Sequence, residues 1–289
     1  MVPRDERSRS SSQSSHEYRS TRRNYLRRAA QLGATGSLVA TAGCLDALES
    51  SSVGHATTPI QEGTSGLAAE EFDEYVGRMQ ERYGDSGPYG TAGRKIGQTL
   101  DFRRAWTKQL HVTENGQPYG GEKDNLLVAA DNALVLYEIP DKVDENGNQH
   151  FLILLWSAGR VPEWKRGGNV LDGTPVFRRL QTGVELDVHT EDLLLYSPSS
   201  RHDSSSVPFS SPSPNTPEFE SSYPLRGGSV EPVASETRVG EEGQYAIRWS
   251  GEVSETQAVI GVCEARWRPD ETFSFVWDAE IEGGKSRLS

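Results

Sequence analysis

The run Phe151-Leu152-Ile153-Leu154-Leu155-Trp156 has no polar residue in six positions. A strand with one wet face alternates apolar and polar residues, whereas an unbroken apolar run must be covered on both faces. This segment therefore predicts a central strand in a sheet with protein above and below it. Its flanks read as strands too. Apolar or alternating stretches at 98–113, 125–130, 133–139, 149–157, 174–181, 183–188 and 191–196 precede a Ser/Pro-rich break. Further stretches at 236–239, 243–250, 256–267 and 272–281 follow it. Gln244–Trp249 and Thr272–Trp277 alternate polar with apolar, as antiparallel strands with one exposed face do. Asp131-Asn132 is a tight-turn candidate between two apolar runs, and Asp144–Asn148 is another.

One segment has a different period. In 67–83, Leu67, Phe72, Tyr75, Val76, Met79 and Tyr83 recur at helical spacing. Ser65 is a candidate N-cap, Glu70 and Glu71 suit the first turn, and Gly84 and Gly87-Pro88 stop the helix. One N-terminal helix followed by about ten antiparallel strands predicts a mainly β fold, an antiparallel β-sandwich or an open barrel. The sequence does not choose between the two.

Residues 197–232 break the pattern. They are rich in Ser and Pro, too long for an ordinary loop, and read as an exposed, partly disordered insertion. Residues 44–66, rich in Ser, Thr and Gly, read as a flexible tether. The expected organisation is an export segment over 1–43, a tether over 44–66 and one β-rich domain over 67–289, with its insertion at about 197–232.

Charge divides the chain in the same way. Residues 1–43 hold eight Arg, no Lys and three acidic residues, a net +5. The remaining 22 basic and 39 acidic residues give −17 within a whole-chain total of −12. Such a body argues against a nucleic-acid partner, whose phosphates a basic surface must neutralise. Lys is scarce beside Arg, six against 24. Acidic, Lys-poor surfaces resemble those of extremely halophilic archaeal proteins, which stay soluble where salt screens long-range repulsion. Mean hydropathy is −0.63, yet six Trp, ten Tyr and eight Phe supply core material.

The N-terminus carries the most specific pattern. Thr21-Arg22-Arg23-Asn24-Tyr25-Leu26-Arg27-Arg28 precedes an uncharged stretch, Ala29–Gly43, and then Cys44. A basic region, a short apolar region and small residues before a processing point are the parts of an export signal. Fifteen weakly apolar residues make a helix of only about 22 Å, too short to span a bilayer. Thr21, Arg22, Arg23 and Leu26 resemble a twin-arginine signal, with Tyr25 for the usual Phe and Arg27 for Lys. Thr41-Ala42-Gly43-Cys44 resembles a lipobox, with Thr41 where Leu is common. The resemblance covers residues 21–46. It implies the translocase as a partner during export, a lipid on Cys44, and a mature protein at the outer face of the membrane. The segments YGDSGPYG (83–90), LWSAGR (155–160) and YSPSSRH (196–202) are similar to those of a group of halophilic archaeal lipoproteins, a resemblance that implies no activity.

Catalytic signatures are missing. The sequence has no G-x-S-x-G, P-loop, H-E-x-x-H or C-x-x-C, and no histidine pair spaced to hold a metal on one helix. No cofactor is expected. Two faint constellations remain. Asp187, His189, Glu191 and Asp192 cluster in one stretch that also reads as a polar hairpin turn. Arg201-His202-Asp203 borders the serine-rich segment, where a base and its orienter lie near hydroxyls. Cys263, in an apolar strand, reads as a small buried hydrophobe. Of the tryptophans, Trp164 is expected to be exposed and the strand ones to be core. These features favour a non-enzymatic surface binding or interaction module. Alternatives are a surface hydrolase using a His189 or His202 site and an envelope assembly factor.

Overall fold

The structure is a computed structural model. It describes residues 51–93, 100–114, 116, 119–121, 125–166, 173–186, 191–213, 218–268 and 273–286, with Glu191 described by its backbone alone. The residues of the export signal, Arg22, Arg23 and Leu26, the lipidation candidate Cys44, and Asp187 and His189 lie outside this set. Among the described residues, no helix is long and apolar enough to cross a membrane.

The fold is mainly β, with antiparallel sheets and a single described helix. The strands are β1 (Ser51–Gln61), β2 (Asp101–Thr113), β3 (Leu126–Val143), β4 (Gln149–Arg160), β5 (Thr174–Leu186), β6 (Glu191–Ser197), β7 (Ser206–Ser210), β8 (Glu220–Pro224), β9 (Ser229–Pro232), β10 (Gly240–Glu241), β11 (Gln244–Val253), β12 (Gln257–Trp267) and β13 (Ser274–Ser286). One sheet runs β1-β13-β5-β11-β9 and the other β10-β6-β12-β4-β3-β2. They pack face to face as a sandwich. The ring of Trp106 on β2 stands edge-on to Phe275 on β13, with centroids 5.9 Å apart. At Gly261 on β12 an added Cβ would lie 2.8 Å from the Tyr245 ring on β11, so only glycine lets the sheets approach so closely.

The strand carrying the apolar run is β4, central between β12 and β3, and all six residues are buried. Odd-numbered residues face the other sheet. The even-numbered face is covered by helix α1 (Ala69–Tyr83) and by the β7–β8 hairpin. Tyr75 and Tyr83 of α1 pack edge-on against Trp156, with centroids 6.3 and 5.6 Å away. The helix therefore buries its Phe72, Tyr75, Val76, Met79, Tyr83 stripe, as its periodicity predicts. Its start differs from expectation. Ser65 is not the cap. The first turn begins at Ala68, whose N–H donates to Glu71 Oε2 at 2.8 Å. Gly84, at φ 58°, ends it and donates its N–H to the Gln80 carbonyl.

Three other expectations are corrected. Residues 51–61 do not belong to a free tether. They form β1, paired along its whole length with β13 from Ser51↔Gly284 to Gln61↔Ser274. The Ser/Pro-rich segment is not an exposed excursion. Val207, Phe209, Phe219, Tyr223 and Leu225 are all buried, and β7 and β8 lie over β12, where Tyr223 Oη reaches the Ile260 carbonyl at 3.5 Å. Asp131-Asn132 is not a turn, since β3 runs through it and pairs with β2 and β4 on either side. The tryptophans follow prediction: 156, 249, 267 and 277 are buried, and Trp164 is 51% exposed.

Candidate functional site

The outer face of the six-stranded sheet gathers the buried polar chemistry. Strand pairing sets Asp131 of β3 beside Gln109 of β2 and Ala158 of β4, all on the face under α1. The last turn of the helix brings Arg82 and Tyr83 over it. Asp131 Oδ2 accepts from Arg82 Nη1 and from Tyr83 Oη, each at 2.7 Å, and Oδ1 accepts from Gln109 Nε2 at 2.8 Å. Burial and then Asp131 push the Tyr83 hydroxyl well above its ordinary range, so it stays a donor. Burial alone would lower Arg82, but its hydrogen bond and charge pairing with Asp131 win and raise it. Next along the face is His111, its ring tilted 31° against Tyr119 with centroids 4.4 Å apart and its pKa lowered by burial; Asp131 pulls it up and Arg160 pushes it down. A carboxylate already holding three donors is not free to take a proton from a substrate. The cluster instead ties the helix to the sheet.

A second cluster lies at the other end of the same face. Glu264 of β12 is 1% exposed. Its Oε1 accepts from Lys142 Nζ and pairs with His150 Nδ1, each at 2.6 Å, while Oε2 has no partner among the described residues. Ser213 Oγ accepts from Lys142 Nζ at 3.2 Å. An imidazole, a carboxylate, an amine and a hydroxyl in one place resemble an acid–base set. Lys142 Nζ, however, is held between Glu264 Oε1 and Ser213 Oγ and donates to both, so in this geometry it is the serine's donor and not its acceptor. Neighbouring Arg266 bridges Asp144 at 2.9 Å and Asp192 at 2.5 Å. These contacts close the end of the sheet.

Of the residues singled out in the sequence, His202 is tied by its backbone to Val230, with N–H to carbonyl distances of 2.8 Å in both directions. Arg201 reaches toward Glu231 at 4.0 Å. Among the described residues, the His202 ring makes no hydrogen bond to Asp203 or to a serine, so the constellation is not assembled. Asp192 serves Arg266. Cys263 is fully buried, and burial pushes its thiol far up. No group of three His, Cys, Asp or Glu side chains that could hold a metal ion occurs among the described residues. Sequence reasoning missed the Asp131 and Glu264 clusters. The one available signal was a charged residue inside an apolar strand, as in VCEAR and VAADNALV.

No family model matches the chain, and no curated protein sequence matches it. Among solved structures, one described as a pore forming protein resembles it with a TM-score of 0.33 and 8% identity, over 65% of this chain and 92% of the other.

Proposed function

We propose that this chain is a lipoprotein exported by the twin-arginine translocase, anchored by a lipid on Cys44 at the outer face of the membrane, whose β-sandwich serves as a binding or interaction module. The observation that carries the reading is the succession of Arg22-Arg23, an uncharged stretch too short to span, and Ala42-Gly43-Cys44. Two acyl-type chains, at about 0.8 kcal/mol per buried CH2, hold a protein on a membrane without a spanning helix. The acidic, Lys-poor body supports a halophilic setting. The non-enzymatic half of the reading is supported by the site geometry: Asp131 holds three donors, Lys142 is paired with Glu264, and among the described residues the His202 ring makes no hydrogen bond to a serine.

Arg22→Lys with Arg23→Lys is expected to block export, because the pair is read as a unit. Cell fractionation measures it. Normal surface levels of the double variant overturn the export assignment. Cys44→Ser is expected to leave export intact and release the protein into the medium; a variant that still pellets with membranes contradicts the lipid anchor.

A further inference from the structure

Carboxylates outnumber the arginines and lysines of this chain, 42 against 30. A guanidinium partly withdrawn from water should then find a counter-charge readily. Among the described residues five arginines are half-buried: Arg160, Arg178, Arg179, Arg248 and Arg266. Arg178 pairs with Glu252, Arg179 with Glu280 and Glu282, Arg248 with Glu231, and Arg266 with Asp144 and Asp192. Arg160 alone pairs with none, and its buried Nε has no hydrogen-bond partner.

Arg160 closes β4 on the outer face, since Gly159 before it abuts Leu180 and Phe177 of the other sheet. Pairing sets Ala129 of β3 next to Arg160, and His111 of β2 next to Ala129. The three share one face, so a single methyl group stands between imidazole and guanidinium, across two strand spacings or about 10 Å. The next row holds Gln109, Asp131 and Ala158, and α1 ends above it. Asp131 is engaged there by Arg82, Tyr83 and Gln109. Of the other carboxylates close in the chain or along the sheet, Glu114 is held by Lys165 and Lys285, and Glu255 by Arg226. Exposed Glu163 makes no ion pair with Arg160. Burial first, and then Arg160 working against Asp131, set the His111 imidazole low, so near neutral pH it is uncharged with one N–H to donate. That ring contacts Tyr119 and, among the described residues, makes no hydrogen bond. The charge of Arg160 also acts on Tyr83, against burial and Asp131, which puts the guanidinium within electrostatic reach of both rings.

We infer that Arg160 and His111 bind an oxyanion, a carboxylate, phosphate or sulfate group, carried by the ligand of this module. The site rests on the binding-module reading and deepens it by naming a ligand class. A half-buried guanidinium without a counter-charge is unfavourable. An arriving oxyanion removes that cost and gains a charge-assisted, two-pronged contact of a kind an amine does not offer. The neutral imidazole adds a donor from the far side of Ala129, so a group with two or more oxygens suits the site. A contact partly inside the surface is screened by salt less than an open ion pair, so such a site still works in the high salt that the acidic body suits.

Thermal midpoints of the full-length protein in concentrated KCl test this, with acetate, phosphate or sulfate replacing part of the chloride at constant ionic strength. A saturable rise is expected with at least one of the three, because a ligand that binds only the folded state stabilises it by mass action. A response to acetate alone marks a carboxylate site, and one to phosphate or sulfate a tetrahedral one. Arg160→Gln is expected to shift the response to about 10- to 100-fold higher concentration, as the loss of a charged hydrogen bond does. Arg160→Lys keeps the charge without the fork and should shift it less. Arg166→Gln, at an exposed arginine nearby, should leave it unchanged. Where phosphate binds, p-nitrophenyl phosphate separates the site from the reading it rests on. Binding without release of nitrophenolate sustains both, whereas release that Arg160→Gln abolishes sustains the site and overturns the non-enzymatic reading. A failed site leaves the export and anchor assignments, read by fractionation, untouched. No saturable rise with any of the three anions, or equal responses in the parent and Arg160→Gln, overturns the inference. Should Arg160→Gln not fold, an undiminished response in both Arg160→Lys and His111→Phe overturns it.

Discussion

Asp131 shows how a single residue can mislead a reading from sequence and still matter most to the fold. Asp-Asn between two apolar runs has the chemistry of a turn. In the structure it continues a strand because its three donors come from 22, 48 and 49 positions away, through a helix and a neighbouring strand. No local pattern encodes that. Replacing Asp131 by Ala should cost about 3–5 kcal/mol, since it strands a buried hydroxyl and a guanidinium. Arg82→Ala should cost less, because its side chain is 37% exposed and water can replace part of the bond. Denaturant midpoints measure both, and equal losses would contradict the assigned hierarchy. His111 gives a pH-dependent counterpart. Burial holds it below the ordinary imidazole value of 6.5, so the unfolded chain binds the proton first as pH falls. Its contribution to stability is whole above about pH 6.5 and is lost as pH falls through the folded value. His111→Phe keeps a ring against Tyr119 and should flatten the stability profile between pH 8 and 5; an unchanged profile would remove His111 from the account.

At the scale of elements, legibility followed burial. The apolar run of β4 and the aromatic stripe of α1 were both readable because each declares its faces by period. β1 was not. It is an edge strand of Ser, Thr and Gly in which Ile60 alone is fully buried, so composition resembled a linker. The β7–β8 hairpin hid in Ser and Pro, yet Val207 and Phe209, and likewise Phe219, Ser221 and Tyr223, are buried at every second position between exposed or half-buried neighbours. Period-two spacing was the signal, and overall composition masked it. Phe209, 2% exposed, contacts Phe219 and Tyr223. Phe209→Ala should therefore cost about 3–5 kcal/mol. At roughly 2–4 °C per kcal/mol, that is a large drop in melting midpoint. A midpoint within error of the parent would mean the hairpin is not part of the core.

For the whole molecule, charge and anchorage decide behaviour. A body of −17 repels itself across a Debye length of about 30 Å at 0.01 M salt and about 3 Å at 1 M. The urea midpoint should rise between dilute buffer and molar KCl, and equal midpoints would argue against a halophilic setting. The fold class was visible in the sequence; the choice of a sandwich over an open barrel was not, because it depends on which faces meet. The anchor and export reading rests on residues 21–46, and the mass of the protein extracted from membranes tests it most directly. The account predicts a mature chain beginning at Cys44 and heavier than its amino acids by a lipid, whereas an unmodified chain, or one that still carries Arg22 and Arg23, would contradict it.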